Sequence, residues 1–229
     1  LIRQVLATPA QGYGNMFLKE RYANLNVRVI YVERGLIIFL NGTSSSGKTS
    51  IAMEMKKQGD IPLHHLSVDQ FFQNYDQFID STYPDMKPTR ELEPHMMTGI
   101  LFDPIVSLFY STIKLFSEMG LNVIVDTVIT NDKWFNGFYD LLSDYPILFV
   151  GVHCSKEELT RREQSRGDRA IGLAHSQFDY IYAYDEYDLE VNTEELSSAD
   201  CAAKILDYIN SEQKYSVFKK LSRREVTLS

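Results

Sequence analysis

The chain has 229 residues, 44% of them hydrophobic and 24% charged, which suits one soluble α/β domain with a sizeable core. A formal net charge of −8 argues against broad nucleic-acid binding, yet leaves room for a local site that takes a small anion. Cys154 and Cys201 are too few for a disulfide framework and lie in no metal-type spacing, and no apolar run is long enough to span a bilayer. With no signal peptide visible, buried thiols in a cytoplasmic protein are expected.

Residues 1–34 are mixed in character; "TPAQGYG" is rich in turn formers and "NVRVIYV" alternates enough for a strand. They are expected to form an N-terminal extension. "GLIIFLN" is a short continuous apolar run ending at a glycine turn, the pattern of a buried parallel-type strand. A helix is predicted from about Lys48 to Gln58, ended by Gly59. "LHHLSVD" reads as a second strand, and the proline-bearing "QFFQNYDQFIDSTYPDMKPTRELEPH" as a long irregular segment of the kind that often carries function. Helical periodicity covers roughly Phe102 to Met119. "LNVIVDTVI" is a third strand, "NDKWFNGFYDLLSD" a helix capped by Asn131 or Asp132, and "PILFVGVHC" a fourth strand. Helices follow over Ser155–Arg166 and near Leu173–Tyr184, then a fifth strand, "YDLEVNT", and a helix, "SSADCAAKILDYINS".

Strands alternating with helices predict a three-layer α/β/α architecture around a mainly parallel five-stranded sheet. The expected division is an extension at 1–34, the main domain at 35–210 and a locally basic tail at 211–229. The tail, "KYSVFKKLSRREV" at its heart, reads as a solvated helix or frayed end.

"NGTSSSGKTS" supplies the chemistry. Gly42, four residues, Gly47, Lys48 and Thr49 match G-x-x-x-x-G-K-[ST], with the strand before and the helix after that this loop requires. Glycines permit a nest of inward-pointing amides, the helix start adds its positive dipole end, and Lys48 adds a cation for the β- and γ-phosphates. The segment Gly42, Thr43, Ser44, Ser45, Ser46, Gly47, Lys48, Thr49 and Ser50 is therefore expected to bind ATP. The Thr49 hydroxyl and the carboxylate of Asp126, at the end of "NVIVD", are hard oxygen donors expected to serve Mg²⁺.

Phosphate transfer is favoured over switching or motor activity. No Asn/Thr-Lys-x-Asp run marks guanine recognition, and Thr127, not a water-positioning glutamate, follows Asp126. Asp69 ends "LSVD" on the same sheet rim and could accept the proton of an attacking hydroxyl. Phe71, Phe72, Tyr75 and Phe78 are candidate acceptor-pocket residues, although such spacing is more often core. Arg161, Arg162, Arg166 and Arg169 cluster around Gly167 in "TRREQSRGDR", suited to a lid that stabilises transferring charge. The bland alternative is a solvated helix face paired with Glu158 and Glu163.

"FLNGTSSSGKTS", "VDQFF", "NVIVDTVIT", "GVHCSKEELTRREQSRGDRAIGLAHSQ" and "YDLEVNT" together resemble the chloramphenicol phosphotransferase-like proteins, from about Leu36 to Ile209. The resemblance implies a P-loop kinase fold and transfer of the γ-phosphate of ATP to a hydroxyl of a small molecule such as chloramphenicol. It also implies ATP and Mg²⁺ at Gly42, Gly47, Lys48 and Thr49, a catalytic carboxylate at Asp69, and lid arginines at Arg162, Arg166 and Arg169. The departures are the 35 or so residues before the P-loop strand and a longer, more polar stretch from Phe71 to Pro94. A nucleoside or sugar-nucleotide kinase, and a nucleotide-binding regulatory protein without transfer activity, are the alternative readings.

Overall fold

The computed structural model describes residues 33–82, 102–166, 172–183, 186–211 and 215–221, together with two strands at 5–7 and 29–31. Those two, β1 (Val5–Ala7) and β2 (Val29–Tyr31), pair in parallel as a separate ribbon. The main sheet holds β3 (Ile37–Asn41), β4 (Leu63–Ser67), β5 (Asn122–Asp126), β6 (Ile147–His153) and β7 (Leu189–Asn192). Their spatial order is β4-β5-β3-β6-β7 and every pairing is parallel. The chain thus leaves β3 toward one edge for β4 and β5, then crosses to the other side for β6 and β7. Such a reversal places the end of the central strand at the crevice where open parallel sheets bind ligands.

Helices α1 (Lys48–Gln58), α2 (Val68–Thr82), α3 (Asp103–Glu118), α4 (Asp132–Leu142), α5 (Lys156–Arg166), α6 (Leu173–Ile181), α7 (Ser198–Asn210) and α8 (Val217–Lys220) surround the sheet. Strand period two divides the core cleanly. Ile37 and Phe39 of β3 join Val123, Val125, Phe149 and residues of α3 and α4. Ile38 and Leu40 face the opposite way, onto Ile51, Ala52 and Met55 of α1 and Cys201, Ala202 and Ile205 of α7. This is the three-layer architecture that the alternating pattern predicts. Both cysteines are buried.

Two sequence expectations are corrected. Residues 70–82, read as irregular, are helical, because α2 runs from Val68 to Thr82. Val68, Phe71 and Phe72 recur at i, i+3 and i+4 and pack on the core, while Gln70, Gln73 and Asn74 face solvent. Strand β4 consequently stops at Ser67, and Asp69 sits in the first turn of α2. The remaining stretch at 83–101 lies outside the described residues.

The second correction concerns the segment beyond 210. Phe218 of α8 is only 1% exposed and packs edge-on against Phe138 and Phe149, with ring centroids 5.5 and 5.6 Å away. One aromatic anchor in a basic stretch outweighs the solvated reading. Phe218→Ala is expected to lower the free energy of unfolding by about 3–5 kcal/mol in urea denaturation, as for large aromatic truncations in packed cores.

Candidate functional site

The site begins where β3 ends. Asn41 is buried, and its Nδ2 donates to the carbonyl of Ile181 and to the hydroxyl of Tyr187, each at 2.8 Å. The following loop turns with Ser45 at φ 62° and Gly47 at φ 97°, two left-handed residues within three positions. Glycine tolerates that conformation freely, whereas at Ser45 it carries local strain. Such turns aim successive amides at one point and make an anion nest. Gly42 keeps the loop close to β6, since a Cβ there would lie 2.7 Å from the Val152 carbonyl oxygen. Helix α1 starts at Lys48 with Gly47 at its N-cap and no side chain capping it, so its first amides remain directed at the loop.

Lys48 is 5% exposed, and its Nζ donates to the carbonyls of Gly42 at 3.0 Å and Thr43 at 2.7 Å. The ammonium is thereby held over the loop. Thr49 Oγ1 donates to Asp126 Oδ2 at 2.6 Å, and His65 Nε2 lies 3.2 Å from the same oxygen. Burial alone would push the Asp126 carboxyl up. The His65 hydrogen bond, the Lys48 charge and the Thr49 hydroxyl outweigh that and hold it below the ordinary aspartate value.

A cavity of about 460 Å³ opens on this group. It is lined by Ser44, Ser45, Gly47, Lys48, Thr49 and Ser50, by Asp69 and by Asp126. Gly42, Thr43 and Ser46, of the same loop, are buried. Val68, Phe72, Val106, Tyr110 and Trp134 give the same cavity an apolar wall, and Val68 and Phe72 share α2 with Asp69. The Trp134 ring is fixed by its Nε1 donating to Asp103 Oδ1 at 2.8 Å, and its backbone amide donates to the N-cap oxygen of Asn131 at 2.9 Å.

The arginine cluster divides. Arg161 is exposed and pairs with Glu158, the solvated-face alternative. Hydrogen bonds from Arg161 and then Arg162 hold the Glu158 carboxyl down to about 2. Arg162 turns inward instead. Its NH1 donates to Thr193 Oγ1 at 3.0 Å and, more weakly, to the Ser45 carbonyl at 3.4 Å, and its NH2 donates to the Thr193 carbonyl at 2.8 Å. Thr193 in turn donates to the Ser46 carbonyl at 2.9 Å. Arg162 thus clamps the loop to the end of β7. Among the described residues Glu163 pairs with no arginine: it is 1% exposed and accepts the backbone amides of Gly172 and Ala174, seating the start of α6. Arg169 and the Arg166 side chain lie outside the described residues, as does the Phe78 side chain. Phe71 belongs to the core, where its ring meets that of Phe109 at 5.1 Å.

Sequence reasoning missed His65, Tyr110, Trp134, Gln177 and Thr193. Gln177 and Thr193 end stretches that carry the family resemblance, but nothing in those stretches marks them as site residues; long-range packing brings Tyr110, Trp134, Gln177 and Thr193 to the cavity and His65 to Asp126.

A family model described as chloramphenicol phosphotransferase-like protein matches residues 35–210. A Mycobacterium tuberculosis protein provisionally named an O-phosphotransferase is 29% identical, over 69% of this chain and 75% of its own. Among solved structures, an APS kinase of Mycobacterium tuberculosis in complex with AMPPNP and APS superimposes with a TM-score of 0.57 at 15% identity, covering 78% of this chain and 99% of the kinase. A shikimate kinase from Acinetobacter baumannii in complex with shikimate gives a TM-score of 0.52 at 16% identity, with coverage of 79% and 96%. At these identities the likeness speaks to the fold.

Proposed function

We propose a donor and an acceptor for this chain, which belongs to the chloramphenicol phosphotransferase-like family and is a kinase transferring phosphate to a hydroxyl. The donor is ATP. The acceptor is a small molecule that carries its hydroxyl on a partly apolar, ring-sized body, and chloramphenicol is one candidate. The observation that carries this reading is the shared cavity, in which the phosphate cradle, Asp126 and Asp69 meet the wall of Phe72, Val106, Tyr110 and Trp134. A site for a purely polar acceptor would have no use for that wall.

Residues 35–210 form the catalytic unit in this reading. The amides of Ser45, Gly47, Lys48 and Thr49 and the Lys48 ammonium hold the triphosphate and take up charge as the terminal phosphoryl group departs. Asp69, in the first turn of α2, accepts the proton of the attacking hydroxyl. Thr49 and Asp126 would hold Mg²⁺. Both offer hard oxygens, and among the described residues no group of three or more His, Cys, Asp or Glu could hold a metal alone. The phosphates and water complete such a shell, as is usual for this ion. Once bound, Mg²⁺ supplies charge neutralisation at the phosphates. No helix among the described residues is long and apolar enough to cross a membrane, and use of ATP fits the cytoplasm.

Release of ADP from Mg-ATP in the presence of chloramphenicol, other aryl alcohols, nucleosides and sugars tests the acceptor class. Stimulation by an apolar alcohol is expected. Stimulation confined to nucleosides or sugars would replace this reading with the nucleoside or sugar-nucleotide kinase. The Arg162–Thr193 clamp gives a second expectation. Thr193→Val, which keeps shape and loses the hydroxyl, should raise KM for ATP about tenfold with little change in kcat, and Thr193→Ser should restore it.

A further inference from the structure

Gln177 closes "RGDRAIGLAHSQ", the stretch most particular to the family resemblance, yet nothing above uses it. It lies on α6 and lines the phosphate cavity. Its Oε1 accepts the backbone N–H of Ser44 at 3.0 Å across 133 residues of sequence. An amide side chain is often ambiguous end for end, but not here: a backbone N–H can only donate, so the carbonyl end must face it. The –NH₂ end is then left to donate elsewhere, and among the described residues Nε2 makes no hydrogen bond.

The platform beneath Gln177 is held at both ends. At the start of α6, Glu163 Oε2 and Oε1 accept the Gly172 and Ala174 amides at 2.8 and 2.7 Å. At its end, the Ile181 carbonyl accepts from Asn41, the last residue of the P-loop strand. Tyr180 Oη adds a hydrogen bond to Asp132 Oδ1 at 2.8 Å, which ties α6 to α4. A side chain so placed can offer donors without reorganising at the moment of reaction.

We infer that Gln177 is a further catalytic residue, anchored through Oε1 on the Ser44 amide and donating from its –NH₂ to the terminal phosphate of the bound nucleotide. The inference rests on the ATP-dependent reading above and names a donor in addition to Lys48. Charge in phosphoryl transfer spreads over three equatorial oxygens, more than one ammonium can meet. A neutral amide supplies further donors without adding a fixed charge to the site.

Gln177→Glu separates this role from simple loop anchoring. A carboxylate keeps the shape and still accepts the Ser44 N–H, but it presents an anionic oxygen where the donors were. Calorimetry with Mg-ATP and Mg-ADP on the full chain reads the difference. The expected result is that Gln177→Glu weakens ATP by about tenfold more than ADP, one hydrogen bond to a charged group. Gln177→Met, which lacks charge, should shift the same ratio in the same direction by less, so a folding defect in one variant leaves the other to decide. Wild-type ATP affinity in Gln177→Glu, or equal loss for ATP and ADP in both variants, would overturn the role. Failure of the unmodified chain to bind ATP would instead overturn the ATP reading beneath it.

Discussion

Lys48→Ala is expected to lower phosphate transfer by about 10²–10³-fold, the usual cost of removing one preorganised donor from a developing anion. The Lys48 Nζ is held on the carbonyls of Gly42 and Thr43, almost out of water, where its field is weakly screened. Truncation removes the cation and takes one donor from each of those two carbonyls, leaving Thr43 with the weaker Ser46 amide at 3.3 Å. It also removes one of the groups that keep Asp126 ionised, so the proposed metal-binding pair is affected as well. ADP release at saturating acceptor, with thermal melting as a control for folding, is the measurement. A variant that melts like the parent and retains more than a small fraction of its turnover would contradict the assignment.

Asp69→Asn is expected to lower kcat by about 10²–10⁴-fold, the range for a positioned general base, with Mg-ATP affinity little changed. Asp69 lines the same cavity as Lys48 and Asp126 but belongs to α2, on the side of the apolar wall. Asparagine preserves its shape and loses the ability to take the hydroxyl proton. The side chain is exposed, so its replacement should cost little stability. Normal turnover in a folded Asp69→Asn protein would remove it from the mechanism. Equal losses in kcat and in ATP affinity would make it part of the nucleotide site instead.

The parts of the molecule legible in the sequence are those encoded over a few neighbouring residues. The strand–loop–helix around Gly42 to Thr49 declares itself because glycine, lysine and threonine each answer a local chemical need, and the apolar runs of β3, β5 and β6 announce burial on both faces. Helix α2 was obscured by its many Gln, Asn and Asp residues, although Val68, Phe71 and Phe72 already held helical spacing. Phe218 was hidden by the lysines and arginines around it. Thr193 and Gln177 matter through hydrogen bonds that span 147 and 133 residues, and no window along the chain contains both partners. The clamp by Arg162 was visible only as one arginine among four. Its direction was set by Glu158 one turn earlier and by Thr193, which folding alone brings near.

The strand order also bears on how the protein emerges from the ribosome. Within the main sheet β3 and β4 are made first but are not neighbours; β5 lies between them, and the other side of β3 waits for β6. A nascent chain that has reached only residue 121 therefore has no ladder of the main sheet to close, and both backbone edges of β3 stay unpaired until later synthesis supplies β5 and β6. Slowing translation between β4 and β5 should lengthen that interval and raise the fraction of product captured by chaperones or lost to aggregates.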